Sequence, residues 1–295
     1  MIVGTVALEK GLRIEFNRAY DALVAGDPYI DLFNTLATIV PSNSSSEKYG
    51  WFGDVPAVLE WLGDKKAGNI ADYDYTIQNK DWYSAVAIDR DELEDDKLGA
   101  ILPRIQMLAQ RCKSYKGKLI ADLITGGTAG LAYDGAAYFS NRAAPNDNLL
   151  AGTGVTLATI KADIYSARAA MFAFQSDTGV PLGLQMDTIV CPAALEGVML
   201  EACTSAMGVA GDNVNNPIRG WIKKVIVLPG ASDANDWYGF ASGMPLKPFV
   251  YQDRKGVELV LDETEVKRNR KLTYSAEMRG NAGYGFFHMG VKVVN

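Results

Sequence analysis

The sequence predicts an α+β protein, because its helix-like and strand-like stretches are separated along the chain instead of alternating. Over residues 5–24, 98–124 and 157–174, apolar side chains recur every three or four positions, the period of one helix face. From residue 249 onward apolar and polar side chains alternate, which is typical of strands.

Composition and charge narrow the class of protein. The chain has 295 residues, 48% hydrophobic and 22% charged, as expected of a globular protein with a buried core. Its 29 basic and 35 acidic side chains give a net charge of −6, which argues against a dedicated nucleic-acid-binding protein. Cys112, Cys191 and Cys203 have no paired spacing, so buried thiols in a reducing compartment are expected. Neither a secretion signal nor an apolar run of about 20 residues is found, so we expect synthesis in the cytoplasm and no membrane partner.

Catalytic chemistry has little support in the sequence. His288 is the single histidine, and the alternating residues around it predict a position on a strand face. No glycine-rich nucleotide-binding motif occurs. A small cytosolic enzyme would need Cys191 or Cys203 as a nucleophile, or Asp187 and Glu196 as paired carboxylates, and no base or orienting partner accompanies them. We therefore predict a protein that is not an enzyme and that uses no cofactor or metal.

The first predicted helix, over residues 5–24, is followed by chain-breaking sequence. Gly26-Asp27-Pro28 ends the helix. After a second short apolar stretch, the serine-rich residues 41–46 predict an exposed, flexible break.

The next segment is apolar but has few means of burying itself. Residues 51–64 are dense in large apolar side chains and bracketed by breakers. Two alternating runs, residues 70–77 and 82–88, predict a hairpin with its turn at residues 78–81. Because two strands alone are rarely stable in water, this hairpin needs another surface to pack on.

A long helix is predicted after the hairpin. Acidic residues cluster between 89 and 96 and basic residues between 104 and 118, an order that complements the helix dipole. A calcium loop is the alternative for the acidic run, although it lacks the central glycine and the distant glutamate. Pro103 either kinks the helix or opens a second segment of it, about 33 Å long to residue 124. The basic stretch is explained by complementing the dipole while its side chains stay in solvent.

The second half of the chain begins after a loop-rich stretch that ends near residue 154. A regular amphipathic helix over residues 157–174 is followed by a short strand, residues 188–191, that leads through Pro192 into another helix. The remaining segments predict strands, the first two of them joined by a turn. These strands are residues 221–228, 236–241, 249–252, 257–261, 272–278 and 284–294.

Several short motifs in a fixed order resemble the major head subunit family of Mu-like phages and prophages. They are WFGDVP at 51–56, YDY at 73–75, NKDW at 79–82, DRDELEDD at 89–96, YDG at 133–135 and YFS at 138–140. The resemblance extends from about residue 27 to residue 295 and is densest between residues 51 and 96. The first motifs are specific in combination, whereas the later ones are weak singly.

The resemblance implies the Hong Kong 97-type fold of tailed-phage capsid proteins, whose parts can be assigned to the sequence. They would be an N-terminal arm (1–45), an extended loop with a β-hairpin (46–90), a peripheral domain with a spine helix (91–150), an axial domain (151–245) and C-terminal strands that return toward the peripheral domain (246–295).

The function implied by the resemblance is self-assembly into an icosahedral shell that encloses phage genomic DNA. The apolar arm and hairpin would then find their burial on neighbouring subunits. The candidates for contacts between subunits are Trp51, Phe52, Trp61, Tyr73, Tyr75 and Trp82. Packing of these rings within one subunit is the alternative for each. A nanocompartment shell of the same fold, recognisable by a groove for a cargo peptide, is the alternative function.

The resemblance also implies partners and a location. Subunits would form pentamers and hexamers, meet a portal and a maturation protease, and enclose double-stranded DNA without reading its sequence. Because no long N-terminal extension is found in the sequence, either a separate scaffolding protein or a precursor region outside this sequence is expected to guide assembly. The basic stretch at residues 104–118 could face the interior of the shell, as the alternative to complementing the helix dipole. The protein would belong to the virion capsid and be made and assembled in the cytoplasm of a bacterial host.

Overall fold

A computed structural model of the chain describes residues 3–22, 26–49, 75–89, 98–176, 179–206, 215–262 and 271–295. The helices are α1 (Val3–Asp21), α2 (Pro28–Leu36), α3 (Leu98–Thr125), α4 (Leu157–Ala173) and α5 (Glu196–Thr204). The strands are β1 (Ala37–Pro41), β2 (Ser46–Tyr49), β3 (Tyr75–Gln78), β4 (Lys80–Asp89), β5 (Leu149–Ala151), β6 (Thr188–Cys191), β7 (Lys224–Val227), β8 (Trp237–Phe240), β9 (Phe249–Asp262), β10 (Lys271–Tyr284) and β11 (Gly290–Val294).

The described strands form three sheets. A four-stranded sheet has the order β1-β9-β10-β4, a five-stranded sheet has the order β5-β11-β8-β6-β7, and β2 pairs with β3. In the four-stranded sheet β1 runs parallel to β9, while β10 is antiparallel to both β9 and β4. This sheet therefore joins early and late parts of the sequence, which makes its pairing strongly non-local.

The long helix α3 packs against the four-stranded sheet and against α1. Its apolar stripe, which includes Ile101, Ile105 and Leu108, shares one buried cluster with Leu12 and Phe16 of α1. The expectation that the N-terminal arm finds no burial in its own subunit is therefore wrong for α1. The reason is that the apolar stripes of the two helices match and cover each other.

The ends of α1 and α2 are also attached to α3. The Lys113 ammonium donates to the carbonyl oxygens of Tyr20 and Ala22, at 2.7 Å each, where the last carbonyls of α1 need donors. Asp27 caps α2 by accepting from the Tyr29 amide at 2.9 Å. Gly117 lets α2 approach closely, because a Cβ built there would lie 1.9 Å from the Tyr29 carbonyl oxygen.

The predicted long helix is one continuous element. Pro103 lies inside α3, in its second turn, so the helix does not divide into two segments there. The acidic run at residues 90–96 lies outside the described residues. Among the residues that are described, no group of three histidine, cysteine, aspartate or glutamate side chains is arranged to hold a metal.

The predicted hairpin at residues 70–88 is wrong in its pairing. Tyr75–Gln78 pairs with Ser46–Tyr49, whereas Lys80–Asp89 pairs with β10, opposite residues 271–280. The single residue Asn79 separates the two strands, too short a connection to reverse the chain. Alternation identified the strands at residues 75–77 and 82–88, while the predicted residues 70–74 lie outside the described part of the chain. Alternation carries no information about which strand lies beside which.

Three further strand predictions need correction. Residues 249–252 and 257–261 belong to one long strand, β9, whose pairing with β10 shifts register near residue 255 and so interrupts the alternation. β7 and β8 are not partners, since β6 lies between them. His288 lies in the 3-10 helix Phe287–Met289 that precedes β11.

The five-stranded sheet is built from strands in the second half of the chain. Helix α4, strand β6 and helix α5 are confirmed, with Leu195 ending a short 3-10 helix before α5. One face of this sheet packs on α4 and α5 in a second buried cluster, which includes Ile164, Met199 and Trp237. Side chains such as Tyr238 join the cluster formed by α2, α3 and the late strands.

Candidate subunit-assembly surface

Residues 42–49 and 75–79 form what we call the loop root, the described residues on either side of the segment 50–74. Glu47 organises it: one carboxylate oxygen accepts from the Ser42 hydroxyl at 2.9 Å, the Asn43 amide at 3.0 Å, and the Ser44 hydroxyl and amide at 3.0 and 3.2 Å. These bonds, led by that from Ser42, hold the pKa of Glu47 below its usual value. The flexible break predicted at residues 41–46 is therefore a hydrogen-bonded turn.

The loop root is tied to the four-stranded sheet. The Ser42 amide donates to the Asp253 carbonyl oxygen at 3.1 Å, and the Asn281 side chain donates to the Gln78 carbonyl oxygen at 2.9 Å. Deeper in the subunit, the side-chain amide of Gln252 donates to the Tyr49 hydroxyl at 2.8 Å. Both ends of the root are thus fixed to strands β9 and β10.

Four of the six predicted contact residues, Trp51, Phe52, Trp61 and Tyr73, lie outside the described residues. Tyr75 is half-buried, and its hydroxyl accepts a hydrogen bond from the Tyr284 amide at 2.9 Å. Burial raises the pKa of the Tyr75 hydroxyl, so it stays protonated at neutral pH.

Trp82 is also half-buried and contacts its own subunit. Its indole N–H donates to the Gly280 carbonyl oxygen at 2.9 Å, and its ring lies 5.0 Å from that of Tyr115. These contacts hold Trp82 in place at one wall of a groove.

The groove runs between α3 and the β4–β10 edge of the four-stranded sheet and has a volume of about 690 Å³. Two large apolar side chains at this groove are well exposed: Tyr83 at 81% and Met107 at 55%. The sequence analysis missed both. Met107 could have been found, because it lies off the apolar stripe of α3, and an apolar residue on the solvent side of an amphipathic helix is an interface signal.

Comparison with known proteins identifies the family. The family model "Mu-like prophage major head subunit gpT" matches residues 6–159 and 227–295, about three quarters of the chain. This chain belongs to the Mu-like prophage major head subunit family.

Two curated relatives of this head subunit carry matching descriptions. The Mu-like prophage FluMu major head subunit of Haemophilus influenzae is 26% identical over 97% of this chain and 72% of the relative. The major capsid protein of Escherichia phage Mu is 25% identical over 88% of this chain and 66% of the relative.

A solved structure extends the similarity to the fold. The procapsid protein of bacteriophage JBD30 superposes with a TM-score of 0.60 at 22% identity, covering all of this chain and 76% of the other. The head subunit therefore has the Hong Kong 97-like fold of tailed-phage capsid proteins and is a shell-forming component of the virion capsid. Family membership decides against the nanocompartment and the cytosolic enzyme.

The side chains proposed for the enzyme alternative have structural roles in the head subunit. Burial raises the pKa of Cys191 to about 12 and that of Cys203 to about 11, so both thiols are protonated and unreactive at neutral pH. Asp187 is buried and accepts from the amide and hydroxyl of Ser242 at 2.7 and 2.9 Å. It therefore anchors the start of β6 to the end of β8.

The single histidine of the head subunit is a core residue. His288 is buried and stacks on Phe287 at 3.8 Å between ring centroids. Burial, helped by the positive charge of Arg142, lowers its pKa to about 4, so the ring is neutral at pH 7.

The basic stretch of α3 is engaged inside the subunit. Lys116 pairs with Asp253 at 3.5 Å and lies over the Tyr251 ring, and Lys118 pairs with Asp122 at 2.6 Å. Together with the contact of Lys113 to the end of α1, these contacts tie the basic stretch to its own subunit. Its position facing the interior of a shell stays a prediction. None of the helices in the described part of the chain is long and apolar enough to cross a membrane.

Proposed function

We propose that this head subunit assembles into its shell by burying the aromatic side chains of residues 50–74 and the groove beside α3 against neighbouring copies. The observation that carries the proposal is the groove itself, with Tyr83 and Met107 exposed at its edge on a chain whose family forms shells. Single exposed apolar side chains are normal on a monomer, but two of them at one groove lined by further apolar residues form the kind of apolar patch that is typical of interfaces. Trp51, Phe52, Trp61 and Tyr73 supply the corresponding aromatic surface.

The loop root is a second observation that supports this proposal. Glu47 and the strands β9 and β10 hold both of its ends, so the residues that flank the segment 50–74 have fixed positions in the subunit. A fixed starting point reduces the entropy that is lost when a segment binds a neighbour. Tyr75 and Trp82 then act from within the subunit: Tyr75 anchors the root, and Trp82 forms a wall of the groove.

In a shell, each subunit makes several contacts that are individually weak, and their combined effect stabilises the assembly. A single interface of standard size buries about 1,600 Å², and each subunit makes several of them at once. We propose pentamers and hexamers arranged around a DNA-filled interior. The resemblance favours a separate scaffolding protein, a portal and a maturation protease as partners. It also favours synthesis and assembly in the cytoplasm of a bacterial host.

Electron microscopy with paired variants tests the proposal. Wild-type protein at high concentration should form shells, tubes or capsomer rings in negative stain. Met107→Ala should weaken assembly, whereas Met244→Ala, which removes a similarly exposed methionine away from the groove, should not. The double variant Trp51→Ala and Phe52→Ala should give folded subunits that assemble poorly. A compact monomer at every concentration and salt would refute the proposal.

A further inference from the structure

The axial region carries an exposed cluster that the proposed loop contacts do not use. We call it the arginine patch: Tyr165, Arg168 and Phe172 on α4, with Trp221 before β7. The Arg168 guanidinium lies 4.6 Å from the Trp221 ring and 5.3 Å from the Phe172 ring. Tyr165 meets Trp221 edge-on at 5.6 Å. Both Tyr165 and Phe172 are 40% exposed.

Contacts within the subunit hold the Arg168 side chain in this position. One of its terminal nitrogens donates to the Met186 carbonyl oxygen at 3.1 Å, and the two rings restrict its side chain. Stacked guanidinium groups keep their remaining N–H donors available for a carboxylate. Tyrosine, tryptophan and arginine are also the residues that contribute most to protein interfaces.

A second surface of the same region has the opposite charge. The acidic face of α5 consists of the exposed residues Glu196, Leu200 and Glu201. Within the part of the chain that the structure describes, neither glutamate forms an ion pair, and Arg168 forms none either. The two surfaces are complementary in charge and in apolar character. Helices α4 and α5 pack against each other through their buried faces, which leaves Tyr165, Phe172 and the two glutamates exposed.

The family comparison sets this region apart. The family model matches residues 6–159 and 227–295, so every residue of the arginine patch and of the acidic face lies in the unmatched part. When both sides of a contact belong to one short segment of one chain, they can change together and remain complementary. This property fits a contact between copies of this chain better than a contact with a different protein.

We propose that the arginine patch of one copy binds the acidic face of α5 on the next copy. The contact is head-to-tail, and repeating it gives a closed ring when the rotation between neighbouring copies closes and an open filament when it does not. A ring fits a family that forms shells. Arg168 donates to Glu196 or Glu201, while Leu200 packs against the exposed aromatic rings. The inference rests on the proposed assembly and adds to it a ring contact that is separate from the groove.

Charge reversal with rescue tests this pairing. R168E and, separately, E196K/E201K should each raise the subunit concentration needed for assembly by about tenfold or more, because like charges then face each other. The triple variant R168E/E196K/E201K restores opposite charges and should return that concentration toward the wild-type value. Thermal unfolding monitored by circular dichroism checks that each variant is folded.

A mixture of the two reversed proteins gives a second readout. An equimolar mixture of R168E and E196K/E201K chains satisfies every contact only when the two alternate. It should therefore form six-membered rings or tubes but few closed shells, which need five-membered rings.

The outcomes separate this inference from the proposed function. If E196K/E201K, whose changes lie on an exposed helix face, assembles like the wild type, the inference is wrong whether or not R168E folds. Failure of both the triple variant and the mixture to assemble, with folded subunits, also overturns the pairing. If wild-type protein never assembles, the proposed function fails instead.

Discussion

The side-chain amide of Asn79 donates to the Ser42 hydroxyl at 2.8 Å, which joins the two ends of the loop root. Ser42 in turn donates to Glu47, so one carboxylate, one hydroxyl and one amide connect residues on either side of the segment 50–74. The connection is polar and close to solvent, and it should therefore respond to pH.

Glu47→Gln should loosen the loop root at neutral pH, because the amide is a weaker acceptor than the carboxylate. The pKa of Glu47 is lowered in the folded protein, so its stabilising effect is present above the usual value of 4.5 and is lost as pH falls through the lowered pKa. The wild type should have the higher melting temperature at pH 7, and the difference should shrink as the pH falls below 4.5. A difference that is constant with pH would show that the charge of Glu47 is not responsible.

His288 should make the subunit sensitive to mild acid. Its pKa is lowered to about 4 in the folded state, so the unfolded chain binds the proton first. The stabilisation is complete above about pH 6.5 and is lost as the pH falls toward 4, a total of about 3 kcal/mol at about 1.4 kcal/mol per unit. Urea unfolding at pH 7 and pH 5 measures the effect. His288→Phe, which keeps an aromatic ring beside Phe287, should show a smaller pH dependence, and equal dependence in both proteins would contradict the assignment.

Trp82 and Tyr83 are neighbours in β4 with opposite expected effects. Trp82→Ala removes the indole hydrogen bond and the contact with Tyr115, and should lower the free energy of unfolding by about 1–3 kcal/mol. Tyr83→Ala removes an exposed side chain and should change stability by less than about 0.5 kcal/mol while weakening assembly. Chemical denaturation and sedimentation of both variants distinguish the two roles. The reverse pattern would show that Tyr83 is the structural residue of the pair.

Gly117→Ala should destabilise the subunit although alanine favours helices. The added Cβ would lie 1.9 Å from the Tyr29 carbonyl oxygen, so α2 has to move away from α3, at a cost of about 2–3 kcal/mol. Gly11→Ala in α1 is the control, since nothing lies within 4 Å of its added Cβ and helix propensity should stabilise it by up to about 1 kcal/mol. Denaturant unfolding of both variants gives the comparison, and equal effects would mean that α2 yields without cost.

The sequence predicted most helices and strands but not the pairing of the strands. The apolar stripe of α4 and the strand before Pro192 are local patterns, and both are confirmed. The partner of β4 is β10, almost 200 residues away, and no local pattern encodes such a choice. The hydrogen bonds of Glu47 were missed for a similar reason, because serine-rich sequence is equally typical of mobile loops and of capped turns.

The subunit-contact residues stay a prediction, and the sequence and the structure point to different side chains for them. Among the described residues, the sequence analysis proposed the rings of Tyr75 and Trp82. Tyr75 and Trp82, however, contact their own subunit, and the side chains exposed at the groove are Tyr83 and Met107. A composition argument identifies apolar residues but does not distinguish the inside of a sheet from its rim.

The pairing of β1 with β9 and of β4 with β10 has a consequence for protein synthesis. A ribosome must translate past Met278 before the groove has its second wall, and past Tyr284 before the four-stranded sheet can be completed. Under the proposed function, a nascent chain would therefore lack a finished docking surface for the copies already in solution. Translation order would then limit the capture of incomplete polypeptides by the growing lattice.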